Sequence, residues 1–208
     1  MKSALTAILT IAFVSSLLGA GTLAYFSDTE TSSGNTLTAG TLDLKIKDGG
    51  LIWRDGIATA EWTLSNMKPG DSTYGSIDFK NFGNLYANHM EITANYTITD
   101  PPGPESDTQE NTPADEMASE MVLTNMVYAY DSTEVDVLPL ISDENGNGKK
   151  DLYDLKYGGA DNLPLSQVGV QRSSIDMTVQ LNPDAGNNFQ GDTLNLTMIF
   201  TMNQHSSQ

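Results

Sequence analysis

Apolar and polar side chains alternate along five segments of the sequence. Because neighbouring side chains of a β-strand point to opposite faces of its sheet, this period of two predicts strands that each bury one face. We expect the last segment to be an integral strand of the fold. The apolar positions are Leu42, Leu44 and Ile46; Ile77 and Phe79; Met90, Ile92, Ala94, Tyr96 and Ile98; Ile175, Met177, Val179 and Leu181; and Leu194, Leu196, Met198, Phe200 and Met202.

Turn-forming residues separate the predicted strands. Pro69 and Gly70 lie in the turn at 68–71, and further turns rich in Asn, Gly and Asp lie at 81–84 and 182–192. Strands joined in this way favour two antiparallel sheets that pack face to face. The predicted fold class is therefore all-β, an antiparallel β-sandwich with a short helical and loop insertion.

The insertion is predicted at about 101–165. Its first part, 101–113, is rich in Pro, Glu, Ser and Asp and shows no hydrophobic period, so it is predicted to be an exposed loop. A short helix is expected at 114–121, with Thr112 as its cap and Pro113 at its first position.

The N-terminus has the three parts of an export signal. Lys2 supplies the basic region, an apolar run occupies 4–18, and small residues precede Ala24, so cleavage between Ala24 and Tyr25 is predicted. A retained membrane anchor is the alternative, because about 20 apolar residues can span a bilayer. The expected division of the chain is a signal peptide at 1–24, an N-terminal segment at 25–38 and the sandwich domain at 39–208.

Charge and composition exclude several classes of binding partner and of functional site. The 208-residue chain carries 27 acidic and 10 basic side chains, a formal net charge of −17 at pH 7. Binding to nucleic acid or anionic lipid is therefore unfavourable, and the predicted membrane contact is only through an uncleaved signal segment. Cysteine is absent, which excludes disulfides, thiolate metal sites and cysteine nucleophiles.

Oxygen-bearing side chains recur in one loop at the spacing of a calcium site. An EF-hand-type loop supplies oxygen ligands from positions 1, 3, 5, 9 and 12, a backbone carbonyl from position 7, and glycine at position 6. The segment that begins at Asp143 meets this pattern, although Asp154 replaces the usual glutamate at position 12. A structural calcium ion is predicted to rigidify the crossover between Leu140 and Leu152; the alternative is an Asn-Gly turn whose carboxylates only face solvent. The predicted ligands are Asp143, Asn145, Asn147, Lys149 through its carbonyl, Asp151 and Asp154.

Recognisable catalytic sites are missing from the sequence. His89 and His205 are its two histidines, they do not form an HExxH motif, and neither is flanked by a nucleophile elbow. Zinc catalysis and serine catalysis are therefore not predicted, and both histidines are expected at the surface.

Two sequons for N-glycosylation lie in predicted strands. Asn95-Tyr-Thr97 and Asn195-Leu-Thr197 match the acceptor pattern, and both asparagines fall on the polar face. Glycosylation at Asn95 and Asn195 is a prediction, and chance matches to this pattern are the alternative.

Several short motifs resemble one family. Gly21-Thr-Leu-Ala-Tyr-Phe-Ser-Asp28, then Asn35, then Ala39-Gly-Thr-Leu-Asp-Leu44 resemble the N-terminus of TasA and camelysin-type proteins, and the segments 64–71, 79–84 and 194–202 resemble later parts of that family. The resemblance implies a jelly-roll sandwich, export with cleavage after Ala24 by a dedicated signal peptidase, and polymerisation into extracellular fibres. It also implies a metallopeptidase label, for which this sequence offers no recognisable zinc ligand set.

The resulting hypothesis is a secreted, non-enzymatic filament subunit. The freed segment 25–37 is predicted to leave its own domain and to pair with an open sheet edge of the next copy, with Tyr25, Phe26 and Leu37 in apolar positions of the acceptor. The expected partners are copies of the same chain and envelope or matrix components. The alternatives are a segment that stays with its own monomer, a secreted metal-dependent peptidase, and a monomeric surface-binding module that uses loops such as 101–113.

Overall fold

The computed structural model describes residues 42–47, 52–53, 55, 62, 67–99, 113–165, 172–189 and 191–205. In this part of the chain, two short 3₁₀ helices lie at Leu138–Leu140 and Asn187–Phe189. The strands are β1 (Leu44–Lys47), β2 (Ser72–Asn81), β3 (His89–Thr99), β4 (Met121–Tyr130), β5 (Thr133–Asp136), β6 (Ala160–Leu163), β7 (Ser173–Leu181) and β8 (Thr193–Asn203), and the α-helices are α1 (Ala114–Glu120) and α2 (Leu152–Tyr157).

The strands form two antiparallel sheets. One sheet has the order β1-β2-β7-β4-β5, and the other has the order β6-β3-β8. The sheets meet through their apolar faces, as the rings of Phe79 on β2 and Phe200 on β8 lie 4.4 Å apart between centroids. The prediction of an all-β sandwich is confirmed.

The core follows the alternation of the sequence. On β7, the buried positions are every second residue, including Ile175, Met177 and Val179. Trp62 adds a buried indole, and its Nε1–H donates to the carbonyl of Met177 at 2.9 Å. Each fully buried side chain of this size contributes about 1.5–3 kcal/mol relative to an exposed one, so the central strands dominate the stability of the sandwich.

The predicted insertion contributes strands to both sheets. β4 lies between β7 and β5 in the larger sheet, and β6 forms one edge of the smaller sheet. The alternation in β4 is hidden by a register shift between Leu123 and Asn125, because the buried side chains move from odd positions (Met121, Leu123) to even ones (Met126, Tyr128). A β-bulge of this kind inserts one unpaired residue and interrupts the period of two.

The predicted helix is present as α1, which buries Met117 and Ala118. Its start differs from the prediction, because Pro113 occupies the N-cap position before the first helical residue and makes no side-chain capping bond. Thr112, the predicted cap, lies outside the described residues. Helices α1 and α2 pack against each other and against β3, so both cover the smaller sheet. No helix among the described residues has the length and apolarity needed to cross a membrane.

Candidate functional site

The edge formed by β8 is the longest sheet edge of the described structure. β8 pairs with β3 over its 11 residues, from the Thr99–Thr193 pair to the His89–Asn203 pair. The other edge strands, β1, β5 and β6, have four residues each. Short edge strands offer few unpaired backbone groups to another chain, so β8 is the edge with most capacity to pair.

β8 has no charged side chains that would oppose pairing with another strand. Its sequence, Thr-Leu-Asn-Leu-Thr-Met-Ile-Phe-Thr-Met-Asn, contains no charged residue and no proline. The other edges carry charges: lysines on β1, Glu134 and Asp136 on β5, and Asp161 on β6. Charges and prolines on edge strands oppose pairing with a further strand, and β8 lacks both.

The core-facing side of β8 is less well covered than that of its neighbour. On β3, Met90 and Ile92 are 0% exposed. On β8, Leu196, Met198, Phe200 and Met202 face the same core but are only half-buried. The described residues therefore leave apolar surface uncovered along the β8 edge.

The predicted calcium loop is folded around hydrogen bonds to its own side chains. Both carboxylate oxygens of Asp143 accept backbone N–H bonds, from Asn147 at 3.1 Å and from Gly148 at 2.9 Å. Gly148 has a φ of 77°, a left-handed conformation that glycine adopts without the steric cost of a Cβ. Asp154 accepts from the N–H of Glu144 at 2.7 Å. The loop is thereby curled back on the start of α2.

Asp151 and Asp154 are fully buried at the end of this loop. They form a capping box, in which Asp151 accepts from the N–H of Asp154 at 3.0 Å and Asp154 accepts from the N–H of Asp151 at 3.2 Å. The side-chain amides of Asn145 and Asn147 donate to Asp151 Oδ2 at 3.0 and 2.8 Å. Burial raises the pKa of Asp151, against the lowering effect of the bond from Asn145. The side chains of three predicted ligands, Asn145, Asn147 and Asp151, thus meet at Asp151 Oδ2, whereas the carboxylate of Asp154 is bonded to backbone N–H groups.

A different cluster brings together three metal-ligating side chains. The prediction that His89 lies at the surface is wrong, because it is 3% exposed. Its Nε2 lies 3.2 Å from Glu91 Oε1 and 3.2 Å from Asp161 Oδ1. Of the described residues, only His89, Glu91 and Asp161 form such a group of His, Asp or Glu. The carboxylates of the Asp143 loop do not form one. His205 is exposed, as predicted.

Asp115 is the centre of a polar cluster that the local sequence pattern does not predict. Its carboxylate accepts from the hydroxyl of Tyr96 at 2.8 Å, from the hydroxyl of Tyr157 at 3.0 Å and from Lys156 Nζ at 3.2 Å. Burial acts to raise the pKa of Asp115, but these three hydrogen bonds outweigh it and the net shift is downward. The cluster joins α1, α2 and β3. Its one signal in the sequence is the position of Asp115, an acidic residue in the first turn of the predicted helix.

The two sequons lie side by side on the exposed face of the smaller sheet. Asn95 and Asn195 are both exposed, and the strand register pairs Asn95 with Thr197 and Thr97 with Asn195. Glycosylation stays a prediction. The predicted cleavage site at Ala24 and Tyr25, and the donor residues Tyr25, Phe26 and Leu37, lie outside the described residues.

Comparison with known proteins gives a family for the chain. A family model described as camelysin metallo-endopeptidase matches residues 1–208. The major biofilm matrix component of Bacillus subtilis (strain 168) is 36% identical over 80 residues, which are 38% of this chain and 27% of that protein. The match therefore covers well under two thirds of the relative's own length. The whole-chain match shows that the protein belongs to the camelysin family, the TasA and camelysin type that its short motifs resemble.

Proposed function

We propose that the protein is a secreted, non-enzymatic subunit of an extracellular matrix fibre, in which the segment 25–37 of one copy pairs with β8 of the next. The observation that carries this proposal is the β8 edge, which is long, uncharged and half-buried on its core-facing side. A relative described as a major biofilm matrix component supports the same class of function.

The donor and acceptor are matched in length. At about 3.3 Å per residue, the 13 residues of the segment 25–37 extend over roughly 43 Å, and the 11 residues of β8 over roughly 36 Å. In an extended segment, Tyr25 and Leu37 point to one face and Phe26 to the other. The face with Tyr25 and Leu37 is the one that would cover the half-buried side chains of β8.

Strand addition gives both affinity and a fibre. Main-chain hydrogen bonds provide an attraction that tolerates the polar sequence of the donor, and alternate side chains fill apolar positions. Each copy offers one donor and one acceptor, so the contact is head-to-tail; where its rotation does not close a ring, it continues as a filament. Cleavage after Ala24 would free the donor and start assembly.

Negative-stain electron microscopy of two versions of the protein tests this proposal. One version begins at Tyr25 and the other at Ala39, and both are incubated at high concentration with and without calcium. We expect regular fibres only from the longer version. A synthetic peptide of residues 25–37 should bind to the shorter version and should cap the fibres of the longer one. If both versions stay monomeric and the peptide does not bind, strand donation is wrong and a monomeric surface-binding module becomes the better function.

We also propose a supporting role for calcium in the Asp143–Asp154 loop. The support is the convergence of the Asn145 and Asn147 side chains on Asp151, within a loop that has the oxygen spacing of an EF-hand. Rotation of the two side-chain amides would turn their oxygens, in place of their nitrogens, towards the centre. The bound ion would offset repulsion between the loop carboxylates and hold the crossover before α2.

The family description also suggests a metallo-endopeptidase, and the residues fit this less well. The described metal-ligating cluster contains one imidazole and two carboxylates, whereas catalytic zinc peptidases of the HExxH type use two histidines and a glutamate. The cluster fits the binding of one metal ion. It does not reproduce that catalytic ligand set, so a structural function is preferred.

A further inference from the structure

We infer that His89, Glu91 and Asp161 bind one divalent transition-metal ion, best matched by zinc, at the junction of β3 and β6. The inference concerns metal binding and does not depend on fibre formation. It rests on the distances within the cluster, on the orientation of the imidazole and on the chemistry of the donor atoms.

Two of the three distances between the donor atoms are close to those of a tetrahedral metal site. His89 Nε2 is 3.2 Å from Glu91 Oε1 and 3.2 Å from Asp161 Oδ1, and all three donor atoms lie within 4.8 Å of one another. Tetrahedral ligands at about 2.0–2.1 Å from zinc are separated from each other by roughly 3.3–3.4 Å. The two carboxylate oxygens lie at most 4.8 Å apart, so an ion would draw them closer to each other while the imidazole keeps its position.

The surroundings of His89 orient its ring for a cation. Nδ1 lies 3.2 Å from Asn88 Oδ1, so in the tautomer with the proton on Nδ1 this nitrogen donates to the Asn88 carbonyl oxygen. In that tautomer Nε2 carries a lone pair and lies 3.2 Å from one oxygen of Glu91 and one of Asp161; the side-chain amide of Asn203 donates to it at 3.3 Å. A cation at this point removes the repulsion between the three donor atoms, and the bond to Asn88 is the usual outer contact of a metal-binding histidine.

The donor set selects the class of ion. One imidazole nitrogen and two carboxylate oxygens suit zinc and other divalent transition metals better than calcium, which prefers oxygen ligands alone. The side chains of Glu91 and Asp161 are 37% and 41% exposed, so an ion can enter from solvent. Asn203 on β8 donates to Glu91 Oε1 at 2.7 Å, and its amide oxygen, after rotation, or a water molecule would complete four ligands.

The position of the cluster gives the ion a structural role. β6 is a four-residue edge strand, and its pairing with β3 shifts in register between Met90 and Ile92. Asn162, next to Asp161, has a φ of 59°, which is left-handed. A short and irregular edge strand has few ladder hydrogen bonds, and a metal bridge from Asp161 to His89 would fix it to the sheet.

A zinc titration of the protein that begins at Tyr25 tests the inference. The protein is treated with a chelator, returned to buffer and titrated with zinc chloride in a calorimeter, with calcium in excess so that the Asp143 loop does not compete. We expect one equivalent to bind. Zinc at about 100 times its Kd should raise the melting temperature by roughly 5–10 °C, and cobalt should give the visible absorption of a four-coordinate site.

Two variants and one control decide where the ion binds. His89→Gln and Asp161→Asn should each weaken binding at least tenfold, and His205→Gln, which alters the other histidine, should leave binding unchanged. Asp161 is half exposed, so Asp161→Asn keeps the test valid if His89→Gln does not fold. Binding that neither variant weakens, or no binding at one equivalent, overturns the inference; the cluster would then be a hydrogen-bonded group that holds no metal.

Discussion

The β8 edge and the Asp143–Asp154 loop differ in how far their polar groups are paired by hydrogen bonds. In the loop, backbone N–H groups and asparagine amides are bonded to the carboxylates of Asp143, Asp151 and Asp154. Along β8, the described residues pair one side of the strand, and its core-facing side chains from Leu196 to Met202 are half-buried. The loop is internally satisfied, whereas the edge has apolar surface and backbone capacity for a further strand.

Because of this difference, we expect the loop to affect the stability of the monomer and the β8 edge to affect its assembly. Unpaired buried polar groups are costly, so the loop should tolerate few changes to its buried carboxylates. An open edge contributes less to the monomer but is a template for another chain. Substitutions in the loop should therefore change the free energy of unfolding, and substitutions on the outer face of β8 should change polymerisation.

The largest effect is expected from Asp151→Ala. The substitution leaves the N–H of Asp154 and the amides of Asn145 and Asn147 without their acceptor, and it should lower the free energy of unfolding by about 2–4 kcal/mol. Urea denaturation of the monomer, from the version that begins at Ala39, measures it. Asp151→Asn keeps an acceptor oxygen and should cost less.

The matched substitution on the edge is Ile199→Ala, which should lower the free energy of unfolding by only about 1 kcal/mol because Ile199 is 43% exposed. Equal losses of stability for Asp151→Ala and Ile199→Ala would contradict the contrast between loop and edge.

The second prediction changes the outer face of β8, with Thr197→Asp and Ile199→Asp combined. Both residues are on the exposed face of β8, and two carboxylates there would repel a donor segment that carries Asp28 and Glu30. The critical concentration for fibre formation should rise at least tenfold, or about 1.4 kcal/mol. Sedimentation of fibres measures it.

The control for that experiment is Thr133→Asp, which places a carboxylate on the exposed face of the short edge strand β5. It should leave the critical concentration unchanged. If Thr133→Asp inhibits fibres as strongly as the β8 variant, the effect is one of net charge and β8 is not the acceptor.

The third prediction concerns calcium in the loop. At ten times its Kd, a bound calcium ion adds about 1.4 kcal/mol, or roughly 3–5 °C in melting temperature for a domain of this size. Asp143→Ala should abolish most of this shift and leave the sandwich folded, because Asp143 is exposed and bonds only to loop N–H groups among the described contacts. Thermal melts with and without calcium measure it. A calcium shift that Asp143→Ala leaves unchanged would place the ion elsewhere.

The sequence predicts the sandwich well because most of its strands bury one face. The alternation at Ile175, Met177 and Val179 is the same in the sequence and in the burial of β7. The sequence pattern does not predict β4, because its bulge near Asn125 shifts the buried side chains by one position. The alternation of apolar and polar residues in β4 alone does not reveal this bulge, because the bulge is determined by the pairing of β4 with β7.

The sites differ in how much the sequence shows of them. The Asp143–Asp154 loop was predicted as one segment because its polar side chains are close in the chain. The cluster at His89 was missed because Asp161 comes from a different strand and reaches β3 only through the sheet order. Burial of His89 is also a property of the fold, and no local pattern distinguishes it from the exposed His205.

The smallest effect on stability is expected from Asp115→Asn. Like the loop carboxylates, Asp115 is fully hydrogen-bonded, but it lies outside the loop. The pKa of Asp115 is below the ordinary value of 3.8, since hydrogen bonds from Tyr96, Lys156 and Tyr157 outweigh burial. The stability that this carboxylate adds is therefore present above pH 3.8 and is lost as the pH falls towards its folded pKa. The difference in free energy of unfolding between wild type and variant should be largest near neutral pH and should shrink below pH 3.8. Urea denaturation over a pH series measures it, with exposed Asp131→Asn as the control for net charge. A difference that stays constant with pH would show that the three hydrogen bonds do not favour the ionised carboxylate.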